Sequence, residues 1–264
     1  MSRLPGPGAL LALACLMASG VGTARPQSAE PVVAAASDLQ FALVEVAAAF
    51  KRRTGQSVKL TFGSSGNFAR QIRQGAPFQV FFSANEDFVR DLARDGFTRG
   101  PGELYAIGRI VIMVPKGSAL KADGRLADLK AALADGRLKR LAIANPEHAP
   151  YGTRAEEALR HAGLWEAVKP RLIYGENVSQ AAQFAVSGNA DGGIIAYSLV
   201  LAPQVAALGT YELIPEEWHR PLRQSMVLTR SAGPAAEAFL AFARSAEARA
   251  IFRKFGFVLP GEAS

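Results

Sequence analysis

From Pro31 onward, short apolar runs alternate with segments of helical spacing, and this alternation restricts the chain to a narrow set of architectures. Pro31 to Ala36 is a buried-strand run. Leu39, Leu43, Val46 and Phe50 then recur at the spacing of a helix face, and Gly55 stops it. Val58 to Phe62 begins a second strand; helix 66–74, strand 78–82 and helix 86–95 complete three strand–helix units. Tyr105 to Pro115 reads as one apolar strand, long enough to pass from one domain into another. A second series follows, with helix 126–134, strand 140–144, helix 153–163, strand 171–174, helix 178–187 and strand 192–196. Tyr211 to Pro215 reads as a short strand and Gln224 to Thr229 as a strand returning to the first domain. Helices over 234–245 and 247–255 follow. Such alternation builds α/β structure with mostly parallel sheets and right-handed crossovers. Two lobes are expected, 31–109 with 222–264 and 110–221, joined by two crossing segments around a cleft. In open sheets of this type ligands collect at the carboxyl ends of strands, where helices begin.

The first 24 residues read differently. Arg3 is their sole charge, Leu10 to Met17 form an apolar run too short to span a bilayer, and Gly22-Thr23-Ala24 supplies small residues before Arg25. Residues 1–24 are therefore expected to be a cleaved secretory signal peptide. The single cysteine, Cys15, lies inside that run, so the processed chain is expected to have no disulfide, no thiolate nucleophile and no cysteine metal site. A lipoprotein anchor at Cys15 is the alternative, ranked lower because Ala12-Leu13-Ala14 matches the usual leucine-led motif poorly. Net charge is +7, yet the basic residues are scattered, as in Lys51-Arg52-Arg53 at the end of a helix, with no interleaved aromatic stripe. Nucleic acid is not expected as a partner. Positive charge of this kind raises the on-rate of small anions.

Four strand ends carry neutral hydrogen-bond donors. Ser37 follows Ala34-Ala35-Ala36, and Ser64 and Ser65 sit between Gly63 and Gly66, where glycine lets a ligand approach the backbone. Tyr151 can present its phenol just before the helix expected from Thr153, and the backbone N–H of Val178 follows strand 171–174. N–H groups at helix starts carry partial positive charge and suit an oxyanion. Each feature alone has a bland explanation, serine as a helix cap above all. Together they suggest a site between lobes.

The segments Ala34-Ala35-Ala36-Ser37-Asp38-Leu39, Phe62-Gly63-Ser64-Ser65-Gly66, Gln71-Ile72-Arg73-Gln74-Gly75-Ala76-Pro77, Ala144-Asn145-Pro146-Glu147-His148-Ala149-Pro150-Tyr151-Gly152 and Ile251-Phe252-Arg253-Lys254-Phe255-Gly256-Phe257 occur in this order. By them the chain resembles the periplasmic molybdate-binding proteins of ABC transporters, which are type II periplasmic binding proteins. The resemblance covers nearly the whole processed chain. It implies a tetrahedral oxyanion, molybdate or tungstate, held between two lobes by uncharged donors and passed to the membrane permease of an ABC importer. It further implies a periplasmic monomer without cofactor. Carried over by position, the binding residues fall on Ser37, Ser65, Tyr151 and Val178, with Ser64 beside them. Some relatives use a tyrosine near residue 196; here Tyr197 is one place out of register or irrelevant. Asp38 stands where other relatives carry a neutral residue. Its carboxylate would repel a dianion, so it is expected to point away and complement the helix dipole; the competing reading is that it accepts a proton from hydrogenphosphate.

Other classes fit less well. Gly63-Ser64-Ser65-Gly66 is not a Gly-x-Ser-x-Gly nucleophile elbow. His148, His161 and His219 lie far apart, without zinc spacing. Another oxyanion or an organic anion on the same fold remains the alternative cargo.

Overall fold

The computed structural model describes residues 30–262, and the leader and Cys15 lie outside them. The first half-lobe runs β1 (Val32–Ala36), a 3-10 turn at Ser37–Leu39, α1 (Gln40–Thr54), β2 (Lys59–Gly63), α2 (Ser65–Arg73), β3 (Val80–Ser83), α3 (Glu86–Arg94) and β4 (Glu103–Gly108). The chain then crosses and builds β5 (Ile110–Pro115), α4 (Ala127–Ala134), β6 (Leu141–Ala144), α5 (Pro150–His161), α6 (Trp165–Val168), β7 (Leu172–Gly175) and α7 (Val178–Val186). The second lobe is completed by β8 (Gly192–Ala196), α8 (Tyr197–Val200), α9 (Pro203–Ala206) and β9 (Gly209–Leu213). After crossing back, β10 (Leu222–Leu228), α10 (Pro234–Ala243) and α11 (Ala246–Lys254) return to lobe I. Among the described residues no helix is long and apolar enough to cross a membrane.

Each lobe contains one five-stranded sheet, ordered β2-β1-β3-β10-β4 in lobe I and β7-β6-β8-β5-β9 in lobe II. The sheets are mixed: in each, four strands run in the same direction and one, β10 or β5, is reversed. β1 runs parallel to β2 and β3, while β10 runs antiparallel to β3 and β4. Likewise β6 is parallel to β7 and β8, and β5 antiparallel to β8 and β9. The antiparallel half of each sheet forms around the strand that has just arrived from the other lobe.

Burial explains why the strands read as unbroken apolar runs. Val33 and Ala35 of β1 face one cluster, which includes Leu43, Phe50, Phe239 and Phe252, while Ala34 faces a second with Phe68, Ile72 and Leu92. A sheet covered on both faces removes the polar alternation expected of a half-exposed strand. α1 stops where its periodicity predicts: Gly55 takes φ +72°, its N–H bonds the Lys51 carbonyl, and Lys51, Arg52 and Arg53 occupy the negative end of the helix.

The run Tyr105 to Pro115, read as one strand, is two. β4 ends at Gly108, Arg109 alone spans the lobes, and β5 begins at Ile110. Arg109 Nε lies 2.8 Å from Glu216 Oε1 in the returning segment, so the two crossings are tied side by side.

Candidate oxyanion site

Parallel register aligns the strand ends that matter. Ala36 pairs with Gly63 and Ala144 with Gly175, so in each lobe two adjacent strands finish level and their following turns lie together. The lobes bring these ends face to face around one small cavity lined by Ser37, Asp38, Ser64, Ser65, Tyr151 and Val178. Residues separated by more than a hundred positions thus share one small space.

Accounting for each proton shows what the walls can donate. Ser65 is completely buried, and its Oγ accepts the Ala84 N–H at 2.9 Å, leaving its own hydroxyl proton for the cavity. Ser37 Oγ accepts the Ser179 N–H at 3.2 Å, and its carbonyl accepts the Ser179 hydroxyl at 2.8 Å. These bonds cross the lobes and leave the Ser37 hydroxyl proton available. Val178 opens α7; the cap residue Asn177 takes the Gln180 N–H at 3.1 Å, so the Val178 amide remains one of the helix's unmet donors.

Tyr151 departs from expectation. α5 begins at Pro150 rather than Thr153, with proline at the first helical position, where its missing N–H costs nothing. Tyr151 therefore lies inside the helix and carries its first amide N–H. Its phenol is already committed. The hydroxyl donates to Asp38 Oδ2 at 3.0 Å and accepts from Gln224 Nε2 at 3.1 Å. Gly108 makes room for it, since a Cβ there would sit 2.3 Å from the phenolic oxygen. What Tyr151 has uncommitted is its backbone N–H, at the first turn of α5.

Asp38 also corrects the sequence reading. It does not turn outward toward solvent. It is 1% exposed, because its 3-10 turn is wedged between the lobes and Ser198 Oγ donates to its carbonyl at 2.8 Å. Oδ2 accepts from Tyr151 and, at 2.7 Å, from Gln224 Nε2, while Gln224 Oε1 accepts the Tyr105 hydroxyl at 2.6 Å. Oδ1 is buried without a hydrogen-bond partner among the described residues. Burial raises the Asp38 pKa to about 6, against the opposing pull of the Gln224 and Tyr151 hydrogen bonds and of the Asp38 and Leu39 backbone N–H groups. Burial and the nearby Asp38 push both the Tyr105 and Tyr151 phenols well above their ordinary value. Sequence reading missed Gln224 and Tyr105. The one available signal was a glutamine inside an otherwise buried strand.

Residues 31–258 match the family model of bacterial extracellular solute-binding proteins. The chain belongs to that family. Among relatives of this solute-binding protein, the molybdate-binding protein ModA of Rhodobacter capsulatus is 36% identical over 96% of this chain and 98% of its own length. ModA of Escherichia coli strain K12 is 31% identical over 95% and 97%. The structure of the Azotobacter vinelandii periplasmic molybdate-binding protein superposes with a TM-score of 0.78 at 31% identity, covering 88% of this chain and all of that one. The sulfate-binding protein SubI of Mycobacterium tuberculosis, at 16% identity and TM-score 0.71, shares the fold.

The rest of the interface of this solute-binding protein acts as a clasp. Gly66 N–H donates to the His148 carbonyl at 2.9 Å, and Ser64 Oγ lies 2.9 Å from His148 Nδ1. A Cβ on Gly66 would come within 2.7 Å of that carbonyl, so only glycine permits the approach. Ser64 thus lines the cavity while its hydroxyl engages the opposite lobe. Tyr197 lies outside the cavity. Its N–H donates to the Arg109 carbonyl at 2.9 Å and its ring packs at Gly256, which places it in the hinge. The histidines occupy separate places: His161 stacks on Trp218 with ring centroids 4.9 Å apart, and His219 is buried with Nδ1 2.8 Å from the Arg220 carbonyl.

Proposed function

We propose that this chain captures molybdate, and with it tungstate, in the cavity between its lobes and delivers the anion to the membrane permease of an ABC importer. One observation carries the reading: uncharged donors from both lobes, Ser37, Ser65, Tyr151 and Val178, line a single small cavity. The names of the relatives with full-length similarity support the same cargo. Molybdate is an unprotonated dianion at neutral pH and needs only donors. Each hydrogen bond to a charged oxygen contributes roughly 1.5–3 kcal/mol. Four contribute about 6–12 kcal/mol, which spans the ~8 kcal/mol of micromolar affinity; any surplus offsets desolvation and lost freedom of the anion. Sulfate has the same charge, so cavity size must separate the two. A larger open groove of about 1,400 Å³ runs alongside, but glutamine and apolar side chains such as Gln180, Gln183, Phe41 and Leu208 dominate its walls. It lacks the convergence that a small anion needs.

In this reading the protein is a periplasmic monomer, released from its leader over 1–24, that binds without cofactor and without turnover. Lobe closure about the two crossings near Arg109 and Glu216 accompanies capture. A thermal-shift panel tests it. Stabilisation by molybdate and tungstate, absent with sulfate and phosphate, is expected, because a ligand raises stability only in proportion to its binding of the folded state. Equal shifts with sulfate would replace the cargo. One observation favours a second reading, a protonated oxyanion such as hydrogenphosphate: the partnerless Asp38 Oδ1 would accept its O–H.

A further inference from the structure

We propose that the oxyanion enters this cavity together with one proton, which rests on Oδ1 of Asp38 and converts that carboxyl from a repelling charge into a further neutral donor. The inference rests on the molybdate reading and assigns Asp38 a part in affinity and specificity. Its basis is geometric. Oδ2 already accepts two hydrogen bonds, from Tyr151 and Gln224. The amide of Gln224 cannot turn over to relieve this, because the Tyr105 hydroxyl holds its Oε1. Oδ1 is buried and has no partner among the described residues, in a side chain that lines the cavity. It is the oxygen on which a proton changes what the wall can do. Among the described residues no cluster of side chains has the make-up of a metal site; the oxygens of the anion are the acceptors.

Among the described residues, an ionised Asp38 beside a dianion touches no cation. The elements packed against its turn are α1, α7, α8 and β2. α7 has no ionisable side chain, and α8 brings only the Tyr197 phenol, which sits in the hinge. Lys59, the charge on β2, is exposed at the far end of that strand. On α1, Lys51, Arg52 and Arg53 lie exposed in the last turn, and Glu45 pairs with Lys254. Across the cleft, Arg154 of α5 pairs with Glu157; within lobe I, Arg223 of β10 pairs with Glu86. The ionisable groups in contact with the Asp38 side chain reduce to the Tyr151 phenol, with Tyr105 behind Gln224. His148 is turned to Ser64. The step balances simply: ionised site, dianion and one proton from solvent become a complex with neutral Asp38, and the only bond formed is O–H. Burial already brings the Asp38 pKa to about 6, and a dianion in contact raises it further.

Calorimetric titration of the purified protein with sodium molybdate, between pH 5.5 and 8.5 in buffers of contrasting ionisation heat, tests the inference. Uptake approaching one proton per anion is expected at pH 7.5. Kd should weaken about tenfold per pH unit above about pH 6 and level off below it. Asp38→Asn presents an amide where the acid O–H would be. It should show no uptake, a flat profile, and at pH 8 an affinity up to about 100-fold above the parent. Parent binding without uptake and with a flat profile overturns the inference and leaves the functional reading standing. Uptake persisting undiminished in Asp38→Asn also overturns it. Should that variant not fold, His148→Gln must retain the uptake, and its loss there overturns the assignment. No binding at any pH overturns the functional reading and this inference with it.

Discussion

The two lobes meet the same cavity with different chemistry. Lobe I contributes hydroxyl side chains, Ser37 and Ser65, each held by a bond that leaves its proton to give. Lobe II contributes main-chain amides at the starts of two helices, at Tyr151 and Val178. A side-chain donor depends on residue identity. A main-chain donor depends on backbone placement and tolerates nearly any residue except proline. The difference bears on how each half can be altered and on how visible each half is in a sequence.

The largest expected effect lies where the lobes touch, at Asp38. Its folded-state pKa, about 6, stands above the ordinary aspartate value of 3.8, so the native state holds the extra proton between these values. The stability that Asp38 contributes is full below the lower value, falls as pH rises toward about 6, and is gone above it. At ~1.4 kcal/mol per unit the loss amounts to about 3 kcal/mol. Ligand-free Asp38→Asn should therefore gain up to about 3 kcal/mol over the parent at pH 7.5 and little at pH 4, read from urea midpoints. Equal gains at both pH values would mean that Asp38 does not titrate in this range.

Next comes the side-chain half. Ser65→Ala removes one donor to the anion and strands the buried Ala84 N–H; roughly 30-fold weaker molybdate binding is expected by calorimetry. Unchanged affinity would take Ser65 out of the site. For the backbone half, Val178→Pro deletes the amide at a helical position that accepts proline, and about tenfold loss is expected with helix content intact by circular dichroism. Gly66→Ala forces the clasp apart at His148 and should weaken binding several-fold, with a faster off-rate in stopped flow. Smallest of all, Val178→Ala keeps the amide and should change Kd less than about twofold. If Val178→Ala equals Val178→Pro, the contrast between the lobes is wrong.

The positions of strands and helices were legible because a twice-covered sheet leaves long apolar runs and each helix leaves a periodic face. The break at Arg109 was not, because Gly108 and Arg109 differ from a continuing strand only in what they approach, namely Tyr151 and Glu216. Mixed sheet order was hidden for a related reason: β10 and β5 are recruited by the crossing of the chain, which leaves no local pattern. Ser37 and Ser65 could be picked out by residue type at a strand end. Val178 has no distinctive side chain, so only its place after a strand and the resemblance pointed to it. Tyr151 was identified with its phenol as donor, because the acceptor, Asp38, lies 113 residues away. The same separation hid the inward turn of Asp38. Gln224 is 186 residues from that carboxyl, so no short-range signal links them.

β10 is the last strand of lobe I to be made, yet it occupies a place between β3 and β4. Until residues 222–228 emerge, β4 has no neighbour in its sheet, although all of lobe II has by then been synthesised. A chain threaded from its N-terminus therefore stays an open half-sheet through most of its passage. The final sixth of translation closes the first lobe, and with it the frame that both halves share.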